Sequence, residues 1–207
     1  GASKRIAEKY VQSLSIYLDQ MGESSTKFIT TRFGNVLGSN GSVVPLFTKQ
    51  INAGGPITIT HPDIIRYFMT IPEACQLVLE AGAMGNGSEI FIFDMGEPVR
   101  IIDLAQKMIK LAGFIPEEDI KIEVVGLRPG EKLFEELLTN ASTTLPTHHQ
   151  KIMIAKDSTE NYISLNEDIL ELIDLSNENK SDALVTKMKQ IVPEFISLNS
   201  EFEKFDN

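Results

Sequence analysis

The sequence predicts an α/β fold, because short apolar runs rich in β-branched and aromatic residues alternate with helical patterns. Three of these runs are predicted strands, at residues 28–33, 89–94 and 120–125. Amphipathic segments, whose apolar residues lie three or four positions apart, precede and follow them. Such alternation favours a largely parallel sheet covered by helices. A chain of 207 residues holds one large domain, or one domain with a small appendage.

The first element is a predicted helix that begins almost at the first residue. Gly22 is expected to end it. A chain that enters a helix at once is expected to be a piece of a longer protein. Lys4 lies in the first turn, where a cation is unfavourable against the helix dipole, and a solvated surface lysine is the simplest interpretation. The apolar face consists of Ile6, Ala7, Tyr10, Val11, Leu14 and Leu18.

The stretch from residue 28 to residue 47 is the candidate ligand site. Its strand leads into a turn rich in glycine and asparagine, and Ser42 is expected to cap the helix that follows. Glycines let a ligand approach the backbone, and the amides at a helix N-terminus favour an anion. These residues therefore indicate a phosphate site, although an ordinary strand-to-helix turn fits the same pattern.

The next segment carries a single charge inside an apolar run. Residues 57–60 alternate as a short strand, and residues 64–69 form a second apolar run that contains Arg66. An arginine in this position either snorkels and pairs with an acidic residue or faces a phosphate, for which its planar fork is suited.

A helix with a capping box follows, from Thr70 to Glu73, with a proline in its first turn. The apolar residues expected to pack are Ala74, Leu77, Val78 and Ala81. Cys75 lies among them and is expected to be a buried, unreactive thiol. A single cysteine cannot form an internal disulfide, which suits a reducing compartment.

The loop from Gly126 to Lys132 is the second candidate site. Arg128 and Glu131 are a fork donor and a carboxylate three residues apart. Together they could hold a phosphate and a sugar hydroxyl, or they could pair with each other on the surface. A helix over residues 101–112 and a strand precede this loop, and a short helix over residues 133–138 is predicted to follow it.

The last quarter of the chain has a different composition. Residues 157–207 carry 12 acidic and 4 basic side chains, whereas the whole chain has a net charge of −10. After a short strand at residues 152–155, a capping box that begins at Ser164 and a second start at Ser181 predict two amphipathic helices. They predict a separately built helical appendage with an acidic outer face.

Several classes of function are disfavoured. The net charge of −10 argues against nucleic acid as a main partner. No apolar run approaches the roughly 20 residues of a membrane span, and no signal peptide is recognisable. His148 and His149 are adjacent but lack a third ligand at metal spacing, so no metal site is predicted. The chain also lacks the strand, GxGxxG turn and acidic residue of a complete dinucleotide-binding unit.

Five segments together resemble one protein family, and the resemblance covers nearly the whole chain in order. They are GASKRIAEKY, RFGNVLGSNGSVVPLF, GGPITITHPDIIRYFMTIPEA, DMGEPVRIIDLA and GLRPGEKLFEELL. The sequence resembles the C-terminal half of the bacterial polysaccharide-biosynthesis nucleotide-sugar dehydratases, which are extended short-chain dehydrogenase/reductases acting on UDP-N-acetylglucosamine. The segments LPTHHQKIMIA and IVPEFISLNS resemble the long, membrane-attached branch of that family.

The resemblance implies the domain organisation. Residues 1–141 are expected to form the C-terminal part of a Rossmann-like dinucleotide-binding sheet, interleaved with the nucleotide-sugar-binding subdomain. Residues 142–207 are expected to form the helical appendage. The resemblance also implies a cytoplasmic domain of a protein anchored in the bacterial inner membrane through a part that precedes this sequence, and a homo-oligomer.

The resemblance assigns the cofactor-binding residues for NAD or NADP. Lys4 resembles the lysine of the YxxxK motif, which bonds the nicotinamide ribose and tunes the proton chemistry, so it is the catalytic candidate. The tyrosine position of that motif, often methionine in the long branch, would lie one residue before Gly1. The turn that covers the nicotinamide end is matched by Val36, Leu37, Gly38, Ser39 and Asn40.

It also assigns the residues that bind the UDP-sugar. Asn35 and Val43 resemble residues that contact the nucleotide-sugar, and Arg66 resembles an arginine near the diphosphate. Arg128 and Glu131 resemble the pair that closes over the UDP moiety. Thr60 or His61 falls where the family contacts the uridine.

The implied reaction is redox-neutral. NAD(P)⁺ accepts a hydride from C4 of the sugar, a base removes the acidified C5 proton, water leaves from C6, and the hydride returns to C6. Two alternatives stay open: a UDP-N-acetylglucosamine 4-epimerase, and a nucleotide-sugar-binding module without a catalytic role. These 207 residues are expected to be inactive alone, because the dinucleotide-binding half and the acid/base residues precede them.

Overall fold

The computed structural model describes residues 1–23, 25–135, 143–157 and 159–206. The helices in these ranges are α1 (Ala2–Met21), α2 (Val43–Asn52), α3 (Ile71–Met84), α4 (Ile101–Leu111), α5 (Tyr162–Asn177) and α6 (Ser181–Ile191). The strands are β1 (Thr30–Arg32), β2 (Asn35–Val36), β3 (Ile57–Ile59), β4 (Ile65–Arg66), β5 (Phe68–Met69), β6 (Ile90–Phe93), β7 (Val99–Arg100), β8 (Ile122–Val124), β9 (Thr144–Pro146) and β10 (Ile152–Ala155). A 3₁₀ helix at Glu201–Phe205 follows α6.

The central sheet has four strands in the order β1, β6, β10, β9. β1 runs parallel to β6, whereas β10 runs antiparallel to both β6 and β9. Three smaller pairs, β2 with β5, β3 with β8 and β4 with β7, complete the pairing among the described residues, and only the last is antiparallel. The α/β class is confirmed. The expected largely parallel arrangement is wrong, because the β9–β10 hairpin adds two antiparallel pairings to the central sheet.

The hairpin also bears on the predicted division at residues 141 and 142. Its two strands come from residues 144–155 and are hydrogen-bonded into the same sheet as β1 and β6. The sheet therefore uses residues on both sides of the predicted boundary, and the helical part begins at α5. The organisation into two units stays a prediction.

The sheet is covered by α3. All four residues of β6 are buried, as expected for a continuous apolar run with packing on both faces. Ala74, Leu77 and Ala81 of α3 pack on this core, where Phe91 and Phe93 are each 1% exposed. Full burial of a side chain of this size contributes about 1.5–3 kcal/mol.

The expectation of a buried cysteine is wrong. Cys75 is exposed. Successive helix residues are rotated by about 100°, so Cys75 turns away from the face that Ala74 places against the sheet. Val78, also expected to pack, is 39% exposed at the edge of that face. The capping box at the start of α3 is confirmed, since the Thr70 hydroxyl accepts a hydrogen bond from the Glu73 amide at 3.3 Å.

A second apolar core lies under the candidate site. It joins α2, β3 and α4, and its residues Phe47, Ile57 and Ile109 are each 0% exposed. Because these elements share one core, the N-terminus of α2 and the end of β3 are held in a fixed relation to each other.

The helices α5 and α6 pack against α1. Ile6 of α1 meets Leu165 and Ile191 in a third apolar cluster. The predicted capping box at Ser164 is wrong, because the N-cap of α5 lies three residues earlier. Asn161 caps it, its side-chain oxygen accepting from the amides of Ile163 and Ser164 at 3.0 and 3.2 Å.

A cluster of five charged side chains fastens α1 to β1 and to the C-terminal part of the chain. The carboxylate of Glu8, 9% exposed, accepts from Arg5 and from Arg32, whose Nε lies 2.6 Å from it. Asp157 binds the same two guanidinium groups at 2.9 and 2.6 Å, and Glu194 lies 3.0 Å from Arg5. Burial raises the pKa of Asp157, but the charges of Arg32 and Arg5 outweigh it and hold that pKa below its ordinary value.

The residues after α6 reach back to the loop that carries Arg128. The amide of Gly130 donates to the carbonyl oxygen of Leu198 at 2.6 Å. The tail around Leu198 is itself fixed, because the amide of Ser197 donates to both carboxylate oxygens of Asp206 at 3.0 and 3.1 Å. The hydrogen bond between Gly130 and Leu198 therefore links the C-terminal tail to the candidate site.

Candidate functional site

A groove of about 200 Å³ lies between the N-terminus of α2, the end of β3 and the loop after β8. Six of the residues selected from the sequence line it: Asn35, Val43, Thr60, Arg66, Arg128 and Glu131. They come from three separate stretches of the chain, at residues 28–47, 57–69 and 126–132. The structure therefore brings Asn35 and Val43, from the first candidate site, together with the Arg128 loop, which is the second.

Strand pairing explains this convergence. β2 pairs with β5 in parallel, with Asn35 opposite Phe68, which places Asn35 beside the segment that carries Arg66. β3 pairs with β8 in parallel, with Ile59 opposite Val124, so the loop that follows β8 lies beside Thr60. Parallel strands end on the same side, and the polar residues after both strands meet there.

The N-terminus of α2 contributes donors to the groove. Gly41, Ser42 and Val43 all line it. Ser42 occupies the N-cap position as predicted, but its hydroxyl makes no cap hydrogen bond. Its oxygen is buried and has no hydrogen-bond partner among the described residues. This hydroxyl and the first free amides of the helix can therefore bind an anionic or polar ligand.

Arg66 lies between two carboxylates. Its Nη2 is 3.3 Å from Glu131 Oε1 and its Nε is 3.6 Å from Glu135 Oε1, and its side chain is 15% exposed. It also donates to the carbonyl of Ile65 at 2.7 Å. The sequence left open whether Arg66 pairs with an acidic residue or faces a ligand phosphate. Its position fits both, since it is paired with two carboxylates and it also lines the groove.

Glu131 organises the mouth of the groove. Its Oε1 accepts from the Thr60 hydroxyl at 3.1 Å, and its Oε2 accepts from the backbone amide of Arg128 at 3.0 Å. The side chain of Arg128 is different, since it is exposed and makes no hydrogen bond or ion pair within the described parts of the chain. Of the two alternatives for this loop, a surface pair between the side chains of Arg128 and Glu131 is therefore not formed.

The other selected residues lie outside the groove. The ring of His61 accepts from the amide of Asp63 at 3.1 Å in a turn. Lys4 is exposed in the first turn of α1. The Val36–Asn40 turn is held locally, with the Ser39 hydroxyl donating to the Val36 carbonyl at 2.9 Å. The structure does not bring Lys4 or this turn into the groove, and their cofactor roles stay predictions.

Glu135 is a site residue that the sequence analysis missed. Its carboxylate accepts from the side-chain amide of Asn35 at 3.2 Å and from the backbone amide of Tyr67 at 3.2 Å. A helix was predicted over residues 133–138, but residues 133–135 are not helical, and residues 136–138 lie outside the described residues. The available signal was a second carboxylate four positions after Glu131 in the same loop.

Two further features concern metals and membranes. Within the described ranges, no group of three or more His, Cys, Asp or Glu side chains is placed to hold a metal ion. His148 instead lies 3.3 Å from Glu80 on α3. None of the helices in the described ranges combines the length and the apolar character that crossing a bilayer requires.

The family model described as "Polysaccharide biosynthesis protein" matches residues 1–157. The chain belongs to this polysaccharide biosynthesis family. The matched range contains all the groove residues, including Arg128 and Glu131, and ends before α5.

Similar proteins include the capsular polysaccharide biosynthesis protein CapD of Staphylococcus aureus, 50% identical over 185 residues, which are 89% of this chain and 29% of CapD. Among solved structures, Pen from Bacillus thuringiensis is 32% identical with a TM-score of 0.64, over 83% of this chain and 57% of Pen. DesIV, a dTDP-glucose 4,6-dehydratase from Streptomyces venezuelae, has a TM-score of 0.50 at 20% identity, over 59% of this chain and 37% of DesIV.

These likenesses bear out the fold class. The chain has a mixed α/β fold that matches part of the Rossmann-like fold of these solved structures. The chain spans about 29% of the length of CapD.

Proposed function

We propose that the groove binds UDP-N-acetylglucosamine and that the chain supplies most of the nucleotide-sugar pocket of a 4,6-dehydratase of bacterial surface polysaccharide biosynthesis. One observation carries the proposal. In a member of this family, a guanidinium group without a partner among the described residues, Arg128, lines the same groove as the N-terminus of α2 and the carboxylate of Glu131.

Two parts of this ligand, the diphosphate and the ribose, have complementary groups in the groove. A diphosphate suits Arg128, the buried Ser42 hydroxyl and the amides at the start of α2, since all of these donate hydrogen bonds to anions. Ribose hydroxyls suit the carboxylate of Glu131, which accepts. Phe68, which is half-buried, supplies an apolar wall.

The cofactor of the proposed enzyme is NAD or NADP, held mainly by residues that precede this sequence. Lys4 fits a role toward it, because its ammonium group is exposed and makes no hydrogen bond or ion pair with any described residue. It can bind ribose hydroxyls and lower the cost of negative charge on a nearby hydroxyl. The bound cofactor would supply the hydride acceptor for oxidation of the sugar at C4.

The chain's own residues bind and orient in this scheme. In this proposal the groove fixes the diphosphate and the ribose. The acid/base residues are expected to precede this sequence, as the resemblance implies, so the 207 residues alone are expected to give no turnover. The intact protein is proposed to be a homo-oligomer whose cytoplasmic domain is anchored in the inner membrane by a part outside this sequence.

The test uses a longer form of the protein that includes the dinucleotide-binding part. It is incubated with UDP-N-acetylglucosamine in D₂O and followed by proton NMR. A new C6 methyl signal, with loss of the C6 hydroxymethyl signal, supports the dehydratase. Inversion at C4 with C6 intact indicates the 4-epimerase instead, and the groove would keep only its binding role.

Two controls complete the experiment. The 207-residue chain under the same conditions is expected to leave the sugar unchanged, and turnover by it would contradict the assignment of the chemistry to upstream residues. If the longer form shows neither reaction, and the 207-residue chain does not bind the nucleotide-sugar by calorimetry, the proposed function is wrong.

A further inference from the structure

Glu135 holds the side-chain amide of Asn35 in one orientation. Asn35 Nδ2 donates to the backbone carbonyl of Tyr67 at 3.1 Å and lies 3.2 and 3.4 Å from the two oxygens of Glu135. A carbonyl and an ionised carboxylate can only accept hydrogen bonds. The amide nitrogen of Asn35 must therefore face them, because the reversed amide would place its oxygen against acceptors on both sides.

Glu135 is itself fixed by its neighbours. Its Oε2 accepts from the backbone amide of Tyr67 at 3.2 Å, and its Oε1 lies 3.6 Å from Arg66 Nε. The two oxygens thus meet donors from three residues on adjoining segments. Each oxygen of Glu135 faces donors only, whereas a side chain that ends in one donor and one acceptor would turn its NH₂ group toward the Asn35 amide or the Tyr67 amide.

The consequence lies on the groove side of Asn35. Asn35 lines the groove, and its Oδ1 accepts no hydrogen bond from any described residue. With the nitrogen facing Glu135, the group that Asn35 offers to a ligand is an acceptor. Phosphate oxygens at neutral pH are acceptors too, so they would repel this oxygen.

We propose that Glu135 is a positioning residue that presents Asn35 as a hydrogen-bond acceptor, so that Asn35 binds a hydroxyl or N–H of the nucleotide-sugar and not a phosphate oxygen. This inference rests on the proposed function, since it names the chemistry of one subsite of the same groove. The phosphate oxygens then fall to the donors, Arg128 and the N-terminus of α2. Donors and acceptors in the groove would sort the ligand's groups and fix its direction.

The experiment measures binding of three probes to the 207-residue chain by NMR titration: pyrophosphate, UDP and UDP-N-acetylglucosamine. The variants are Glu135→Gln, Asn35→Ala and the double variant. In Glu135→Gln one terminal oxygen becomes an NH₂ donor, which must face either the Tyr67 amide or the Asn35 amide. Glu80→Gln is the matched control, because Glu80 pairs with His148 on α3 outside the groove.

Three results support the proposal together. Glu135→Gln and Asn35→Ala each weaken the binding of UDP-N-acetylglucosamine by about tenfold, as expected for the loss of one well-placed hydrogen bond. Pyrophosphate affinity stays within about twofold of the unchanged protein. The double variant binds no more weakly than Asn35→Ala alone, because Glu135 acts through Asn35. If UDP loses affinity equally, the ligand group that donates to Asn35 lies on the ribose or the uracil. If only UDP-N-acetylglucosamine loses affinity, that group lies on the hexose.

Other results overturn it. Unchanged affinity in both single variants, equal loss for pyrophosphate, or additive losses in the double variant would each show that Glu135 does not set the polarity of Asn35. If Glu135→Gln does not fold, as judged by circular dichroism, the Asn35→Ala comparison of pyrophosphate with the nucleotides decides alone. Failure of the unchanged chain to bind either nucleotide is a distinct result, since it rejects the proposed function on which the inference rests.

Discussion

Replacing Glu8 by glutamine is expected to destabilise the protein by about 3 kcal/mol, because each lost charge-assisted hydrogen bond contributes about 1 kcal/mol more than a neutral one. The Glu8 carboxylate is 9% exposed and makes two contacts with Arg32 and one with Arg5. A glutamine offers one uncharged oxygen in place of the carboxylate. Asp157 would remain as the carboxylate that both guanidinium groups share.

The assay is thermal unfolding followed by circular dichroism. For a chain of this size each 1 kcal/mol lowers Tm by about 2–4 °C, so Glu8→Gln should lower Tm by about 6–12 °C. Glu73→Gln is the control, because Glu73 and its partner Lys151 are 35% and 54% exposed, and an exposed pair contributes about 1 kcal/mol or less.

The double variant Glu8→Gln/Arg32→Gln removes the negative charge together with one of its positive partners. Its Tm is expected to be higher than that of Glu8→Gln, because no Arg32 charge is then left without Glu8. The reasoning fails if Glu8→Gln lowers Tm no more than the control does. It also fails if the double variant is as unstable as the two single losses added together, because the charges would then act independently.

Three other perturbations have defined outcomes. A Cβ at Gly85 would lie 2.6 Å from Ile29 Cγ2, so Gly85→Ala should cost about 1–3 kcal/mol in urea unfolding, whereas Gly82→Ala, with open space around its Cβ, should stabilise α3 by up to about 1 kcal/mol. The folded pKa of Asp157 lies below its unfolded value of about 3.9, so its stabilisation is present above that pH and is lost as pH falls through the folded pKa; urea unfolding between pH 6 and pH 2.5 should show a shallower loss for Asp157→Asn. Arg128→Met should leave Tm unchanged and weaken UDP binding, with a smaller dependence of Kd on salt than the unchanged chain shows in titration calorimetry.

Residue type and local spacing were enough to predict most elements. The strand at residues 57–60, the capping box of α3 and the stop at Gly22 depend on side chains within a few positions, and the structure contains all three in or near the predicted places. The convergence of Asn35 and Arg128 in one groove was reached only through the family resemblance. It depends on the β2–β5 and β3–β8 pairings, which no local pattern encodes.

The failures share a physical cause, since each concerns orientation and not residue type. Cys75 has apolar neighbours in sequence, yet its position on the helix surface turns it outward. Ser164 could cap a helix, but Asn161, three positions earlier, satisfies the first free amides. Glu135 was overlooked because a helix was predicted over residues 133–138, whereas residues 133–135 are not helical and Glu135 contacts Asn35.

The hydrogen bond from the Gly130 amide to the Leu198 carbonyl has a consequence for the family. The groove residues lie in the part of the chain that the family shares, but Leu198 lies beyond it, after residue 157. The loop that carries Arg128 is therefore restrained by a backbone contact from outside the range that the family model matches, whereas the groove residues themselves lie inside that range.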